Sequence, residues 1–177
     1  MSRMYSMDFR IENFFPSKTE EIKKALLAVW ISDPNLIDCY PAKILAVDDG
    51  SLSSGGSEED LVKEARKHIW EANGAPCKIS IKATLLENLP YEEYTSDPEK
   101  DEDLVADFWG NRRSAPEKVK ILNEYVDKVC DDINFNDIYL RTGIDLCPRT
   151  KHSLCEAILE LGGEVEFYGG TIEQIDT

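Results

Sequence analysis

The 177-residue chain predicts an α+β fold in three stretches: a sheet-and-helix domain over 1–90, an acidic connecting segment over 91–110, and a mainly helical domain over 111–177. Three observations predict it. Two runs in the first ninety residues alternate apolar and polar side chains, the period of a half-buried strand. Runs of helical period lie between and after them. Past residue 110 helical spacing dominates, and 42% hydrophobic content supports a real core.

The elements follow in order. Over residues 5–11, Tyr5, Met7, Phe9 and Ile11 share one face, and Ser6, Asp8 and Arg10 share the other. Over 17–30, Ile22, Ala25, Leu26, Val29 and Trp30 make one apolar stripe, with Ser17 or Thr19 placed to cap a helix. "SDPN" ends it. "AKILAV" reads as a short strand closed by "DDG", and "SLSSGGS" as a flexible connector. The next helix runs over 57–73, with Ser57 as its cap, Leu61, Ala65, Ile69 and Ala72 inward, and Gly74 as its stop. Cys77, Ile79, Ile81, Ala83 and Leu85 then alternate as a third strand. The β-α-β-α-β order, with helices on one face, suits a ferredoxin-like domain. That architecture hosts many functions and does not by itself point to one.

Charge is lopsided, with 35 acidic against 20 basic residues and a net charge of −15. Such a field repels the phosphate backbone and favours basic partners or cations. The excess concentrates over 87–107, where nine acids meet one base; residues 111–151 are nearly balanced, with eight bases and seven acids. Five cysteines, an odd count, argue against a disulfide scaffold and for a reducing, cytoplasmic setting. The opening residues contain no apolar signal core, and no run approaches the ~20 apolar residues of a membrane span. No membrane association is expected.

"APEKVKILNEYVDKVC" is helical, with Pro116 in the first turn and Val119, Leu122, Val126 and Val129 on one side. The segment "FNDIYLRTGIDLCPRTKHSLCEAILELGGEVEFYGGT" resembles a helix-turn-helix followed by a wing. The resemblance covers about residues 115–175. It implies a first helix over 135–143 and a recognition helix over 147–163. Pro148 would stand in that second helix's first turn, with Leu154, Ile158 and Leu161 inward. A β-wing over 164–175 would turn at Gly169-Gly170. It also implies that Arg141, Arg149 and Lys151 would touch DNA. The chain departs from the pattern: the turn is longer, Lys151 stands where an apolar residue is usual, and no cation follows it. Glu156, Glu160, Glu164, Glu166 and Glu173 do follow, and they oppose a polyanion.

Other chemistry finds little purchase. Asp97, Glu99, Asp101 and Asp103 alternate like calcium-loop ligands, but the glycine and glutamate such a loop needs are replaced by Glu102 and Phe108. Cys130, Cys147, His152 and Cys155 could supply zinc ligands, yet no tight CxxC knuckle is present and buried structural cysteines are the blander explanation. His68 and His152 are the only histidines, and no nucleotide-binding or hydrolase motif occurs. No cofactor is expected.

Three functions follow. The first is a non-enzymatic interaction protein whose acidic face occupies a basic groove, as on nucleic-acid-binding machinery. Its contacts would be Glu92, Glu93, Asp97, Glu99, Asp101, Glu102 and Asp103, with Tyr94 and Trp109 as aromatic anchors. In general character such a chain is similar to small acidic phage or mobile-element proteins that antagonise host defence. The second is a DNA-binding regulator using Arg141, Arg149 and Lys151. The third is an enzyme with a carboxylate site that leaves no short signature. The oligomeric state is open.

Overall fold

The computed structural model describes residues 3–52 and 56–165. The chain is α+β, with one five-stranded antiparallel sheet and six helices among these residues. It divides into two compact units, Met1–Asp101 and Glu102–Thr177.

The first unit contains β1 (Arg3–Glu12), α1 (Thr19–Val29), β2 (Ile37–Cys39), β3 (Lys43–Leu52), α2 (Glu58–Asn73), β4 (Lys78–Leu85) and β5 (Tyr91–Ser96). The strand order is β2-β3-β1-β4-β5 and every pairing is antiparallel. β1 therefore lies in the middle, and its alternation decides which face is buried. Tyr5, Met7, Phe9 and Ile11 are all buried, as are Ile79, Ile81 and Ala83 of β4 opposite them. The polar face stays accessible, as a one-sided antiparallel sheet requires. α1 and α2 pack on each other, and bury Ile22, Ala25 and Leu26 from one helix and Val62, Ala65, Ile69 and Trp70 from the other.

Several expectations change here. The inward stripe of α2 uses Val62, Trp70 and Asn73 where Leu61 and Ala72 were expected. The indole of Trp70 donates to the carbonyl of Cys77 at 2.8 Å. Asn73 accepts from the Phe15 amide and donates to the Ala75 carbonyl, both at 2.8 Å, so its burial costs little. α1 has no side-chain cap, because a single 3₁₀ turn, Pro16–Lys18, leads into it. "DDG" does not end β3. The strand continues to Leu52 because β1 is long enough to pair with all of it. Asp48, across from Met7, accepts from both the amide and the hydroxyl of Ser32 at 2.7 Å, which holds its carboxyl below the usual range. Gly50 leaves room for the ring of Trp30, which a Cβ would meet at 2.8 Å.

The second unit contains α3 (Glu102–Arg112), α4 (Ala115–Asn123), α5 (Phe135–Thr142) and α6 (Lys151–Glu160). Ser114 and Glu117 form a full capping box on α4. α4 stops earlier than its apolar spacing suggests: Tyr125 and Val126 are buried from turns beyond its end, and Val129 is 63% exposed. The core gathers Leu122, Tyr125, Val126, Ile133, Ile138, Leu146, Leu154 and Ile158, with Leu161 packed against it. α5 ends at left-handed Gly143, as expected. Pro148 stands before α6, in a cis bond with Cys147, and Thr150 is the cap. The wing expected over 164–175 lies outside the described residues from 166 onward.

No helix among the described residues is long and apolar enough to cross a membrane.

Candidate functional site

The stretch over 91–110, expected as an acidic connection, is built of β5, a turn and most of α3. Its carboxylates divide by what they touch. Asp97 is buried, and its Oδ1 accepts from the Glu99 amide at 3.0 Å. Asp101 accepts from the Asp97 amide at 2.8 Å. These two acids close the turn that leaves β5. They are spent on the backbone.

Glu92, Glu93 and Glu99 are exposed. In the β4–β5 register Glu93 stands across from Lys82 on the open face, and Glu92 across from Ala83 on the helix-covered side. The Lys82 ammonium lies 4.3 Å from the centroid of the Tyr91 ring, itself 58% exposed. On the open face a shallow depression of about 510 Å³ is lined by Asp8, Arg10, Glu12, Lys78, Lys82 and Glu93, among others. Its charges are mixed, so it favours neither sign of ligand.

Each unit gathers carboxylates from distant parts of the chain around a tyrosine. Tyr94 on β5 donates to Glu58 at the start of α2, at 2.9 Å. Burial chiefly, then that bond and the nearby charges of Glu58, Glu92 and Glu59, push its hydroxyl up to about 12. In the second unit Tyr139 on α5 donates to Asp103 on α3 at 2.8 Å. That bond is the main reason its hydroxyl rises to about 12, with Asp107 and Asp145 adding to it. The link between 58–59 and 92, and that between 103, 107 and 145, have no signature in the sequence. Only the pairing of strands and the crossing of helices create them.

Of the two aromatic anchors, Trp109 already carries a cation, as does its neighbour Phe108. The guanidinium of Arg113 lies 4.1 Å from the Trp109 ring centroid, and that of Arg112 lies 5.6 Å from Phe108. Glu102 is exposed on the first turn of α3, where a carboxylate suits the helix N-terminus.

The residues considered for DNA are differently placed. Arg141 makes two bonds to the Glu124 carboxylate, at 2.9 and 3.3 Å, and donates to Tyr125 at 3.2 Å. Tyr125 in turn donates to Asp137, and Arg113 donates to the Arg141 carbonyl at 2.7 Å. Glu124 chiefly holds Arg141 above its ordinary value, and Arg141 holds Glu124 below its own. The network joins α3, the end of α4 and α5, which makes Arg141 a structural hub. Arg149 is exposed and pairs loosely with Asp145 at 3.8 Å. Lys151 opens α6 and is half-buried.

Of the residues considered for zinc, Cys155 is buried and burial raises its thiol. Cys130 and Cys147 are exposed, and Cys130 points its sulfur at the Arg149 carbonyl, 3.9 Å away. His152 meets Glu156 at 2.9 Å. Among the described residues no group of three His, Cys, Asp or Glu side chains is placed to hold a metal ion.

Comparison of the chain with family models, with characterised proteins and with solved structures gives no match.

Proposed function

We propose that the protein is a non-enzymatic acidic interaction module that engages a basic surface of a partner. The supporting observation is the convergence around Tyr94: Glu58 and Glu59 from α2 meet Glu92 from β5, from parts of the sequence that no common motif links. Exposed Glu93, on the other face of β5, and Glu99, just past the strand, add further carboxylates along the chain. A surface of this sign repels nucleic acid and complements the cationic grooves of proteins that bind it. Nucleic-acid-binding machinery is therefore the partner class, in the manner of phage or mobile-element proteins that antagonise host defence.

We read the order β1-α1-β2-β3-α2-β4 as ferredoxin-like with β5 appended. We read α5 and α6 as a helix-turn-helix-like pair serving packing. The DNA-reading alternative draws less support, since Arg141 is committed to Glu124 and Tyr125.

The test compares two triple variants that change net charge equally, using a labelled lysine- and arginine-rich peptide. Glu92→Gln with Glu93→Gln and Glu99→Gln should weaken binding about tenfold. Asp131→Asn with Asp132→Asn and Glu160→Gln should leave it nearly intact. Equal losses would mean that net charge alone attracts cations, and the proposal fails. Anisotropy of labelled duplex DNA at low salt provides the opposing check: salt-sensitive binding would replace this function with the DNA-binding alternative.

A further inference from the structure

β5 is the terminal strand of the sheet and pairs only with β4. Among the described residues, no backbone hydrogen bond joins residues 91–96 to any other segment outside that pairing. An edge whose amides and carbonyls make no further backbone bond is a template for another strand, which proteins guard with charged side chains, proline or a bulge. β5 has no lysine, proline or bulge within its span: its sequence is YEEYTS, its register to β4 runs unbroken from Tyr91 to buried Ser96, and its guard is the exposed glutamate pair, which excludes by sign. The opposite edge, β2, has only three residues.

The charge of β5 selects the occupant. Glu92 and Glu93 are consecutive, so they project to opposite faces of the sheet. A strand laid beside β5 must therefore place a compatible residue near each on both faces, and cross-strand pairs of opposite sign stabilise while like charges destabilise. A second copy of this chain, paired antiparallel about these residues, would set glutamate against glutamate on both faces. That argues against self-association here. A segment with two adjacent basic residues satisfies both glutamates at once.

We infer that β5 is a docking edge for an extended basic segment of a partner protein, which adds as a sixth strand with adjacent lysine or arginine residues beside Glu92 and Glu93. This rests on the acidic-interface function and specifies its mode: backbone hydrogen bonds supply affinity, and the glutamates supply sign and register.

The experiment uses the whole protein and an eight-residue labelled peptide of alternating valine and threonine with Lys-Arg at its centre. A second peptide has the same sequence with its four central amides N-methylated, which keeps the charge and removes the donors. Strand addition predicts that the first binds and the second binds at least about tenfold more weakly. It also predicts that the β5 amides left unpaired by β4 gain protection from hydrogen exchange when the first peptide is present. Equal binding of both peptides, with no added protection, would overturn strand addition and leave a side-chain acidic interface standing. Failure of both peptides, together with failure of the polybasic peptide above, would overturn the interface itself.

Discussion

The two units hold together by different means. In the first, a central strand supplies the core: four successive inward positions of β1 are buried, with Leu85, Ala83, Ile81 and Ile79 of β4 across from them on one side and Ala46 and Ile44 of β3 across from Phe9 and Ile11 on the other. In the second, the helices are short, eight to eleven residues, and α3 carries a single fully buried residue, Ala106. Close backbone approach and a polar network complete what apolar burial begins. Gly110 and Gly143 let α3 and α5 touch, and Arg141 binds three segments together. A sheet core tolerates polar change on its open face, whereas a crossing built on glycine and guanidinium depends on single atoms.

The most damaging single change belongs to the sheet. Phe9 is fully buried and pairs with Ala46 on one side and Ile81 on the other. Phe9→Ala should cost about 4 kcal/mol through lost burial and the cavity left behind. Hydrogen exchange read segment by segment should show the loss in β1, β3 and β4, with α4, α5 and α6 keeping their protection. Simultaneous loss in both units would erase the distinction between them.

Gly143→Ala is the counterpart in the helical unit. A Cβ there would meet the Ala106 carbonyl and the Gly110 Cα, each at 2.8 Å, and the residue's φ is +75°. Left-handed strain and overpacking together should cost about 3 kcal/mol. Thermal unfolding measures it. A shift no larger than that of an exposed substitution would show that α3 and α5 need no glycine crossing.

A gentler probe contrasts the two tyrosines. Tyr94 and Tyr139 should be among the last of the seven tyrosines to ionise in an ultraviolet titration, both near pH 12. Their folded values are raised, so the stability each contributes is present below the ordinary tyrosine value near 10 and is lost as pH rises through 12. The causes differ. Asp103→Asn should remove most of the Tyr139 shift, because the hydrogen bond dominates it, whereas Glu58→Gln should remove only part of the Tyr94 shift, because burial leads there. Equal responses would mean that one cause governs both tyrosines.

Much of the sheet unit was legible because burial on one face of a strand writes itself into every second residue. Tyr5, Met7, Phe9 and Ile11 could be assigned inward without any partner in view. Helix ends were legible for the same local reason, as Ser57, Gly74, Pro116 and Gly143 show. β5 was not, because an exposed edge strand needs no apolar alternation and its glutamates read as a charged loop. The early stop of α4 and the exposure of Val129 were not legible either, since apolar spacing continues past the helix while the chain turns.

Of the candidate site, the sequence disclosed the carboxylates but not their employment. Asp97 and Asp101 close a turn, Asp103 holds a tyrosine, and Glu92 and Glu93 stand exposed on opposite faces of a strand. The acidic excess, the buried face of β1 and β4, and the cap of α2 at Ser57 with the glycine stops at Gly74 and Gly143 could be read from the chain alone, because each depends on residues close together in it. Which strand became the open edge, which acids meet around Tyr94 and Tyr139, and the binding of Arg141 within its unit were settled by folding. Those outcomes are contacts between distant segments, fixed by strand register and helix crossing, and no local pattern encodes them.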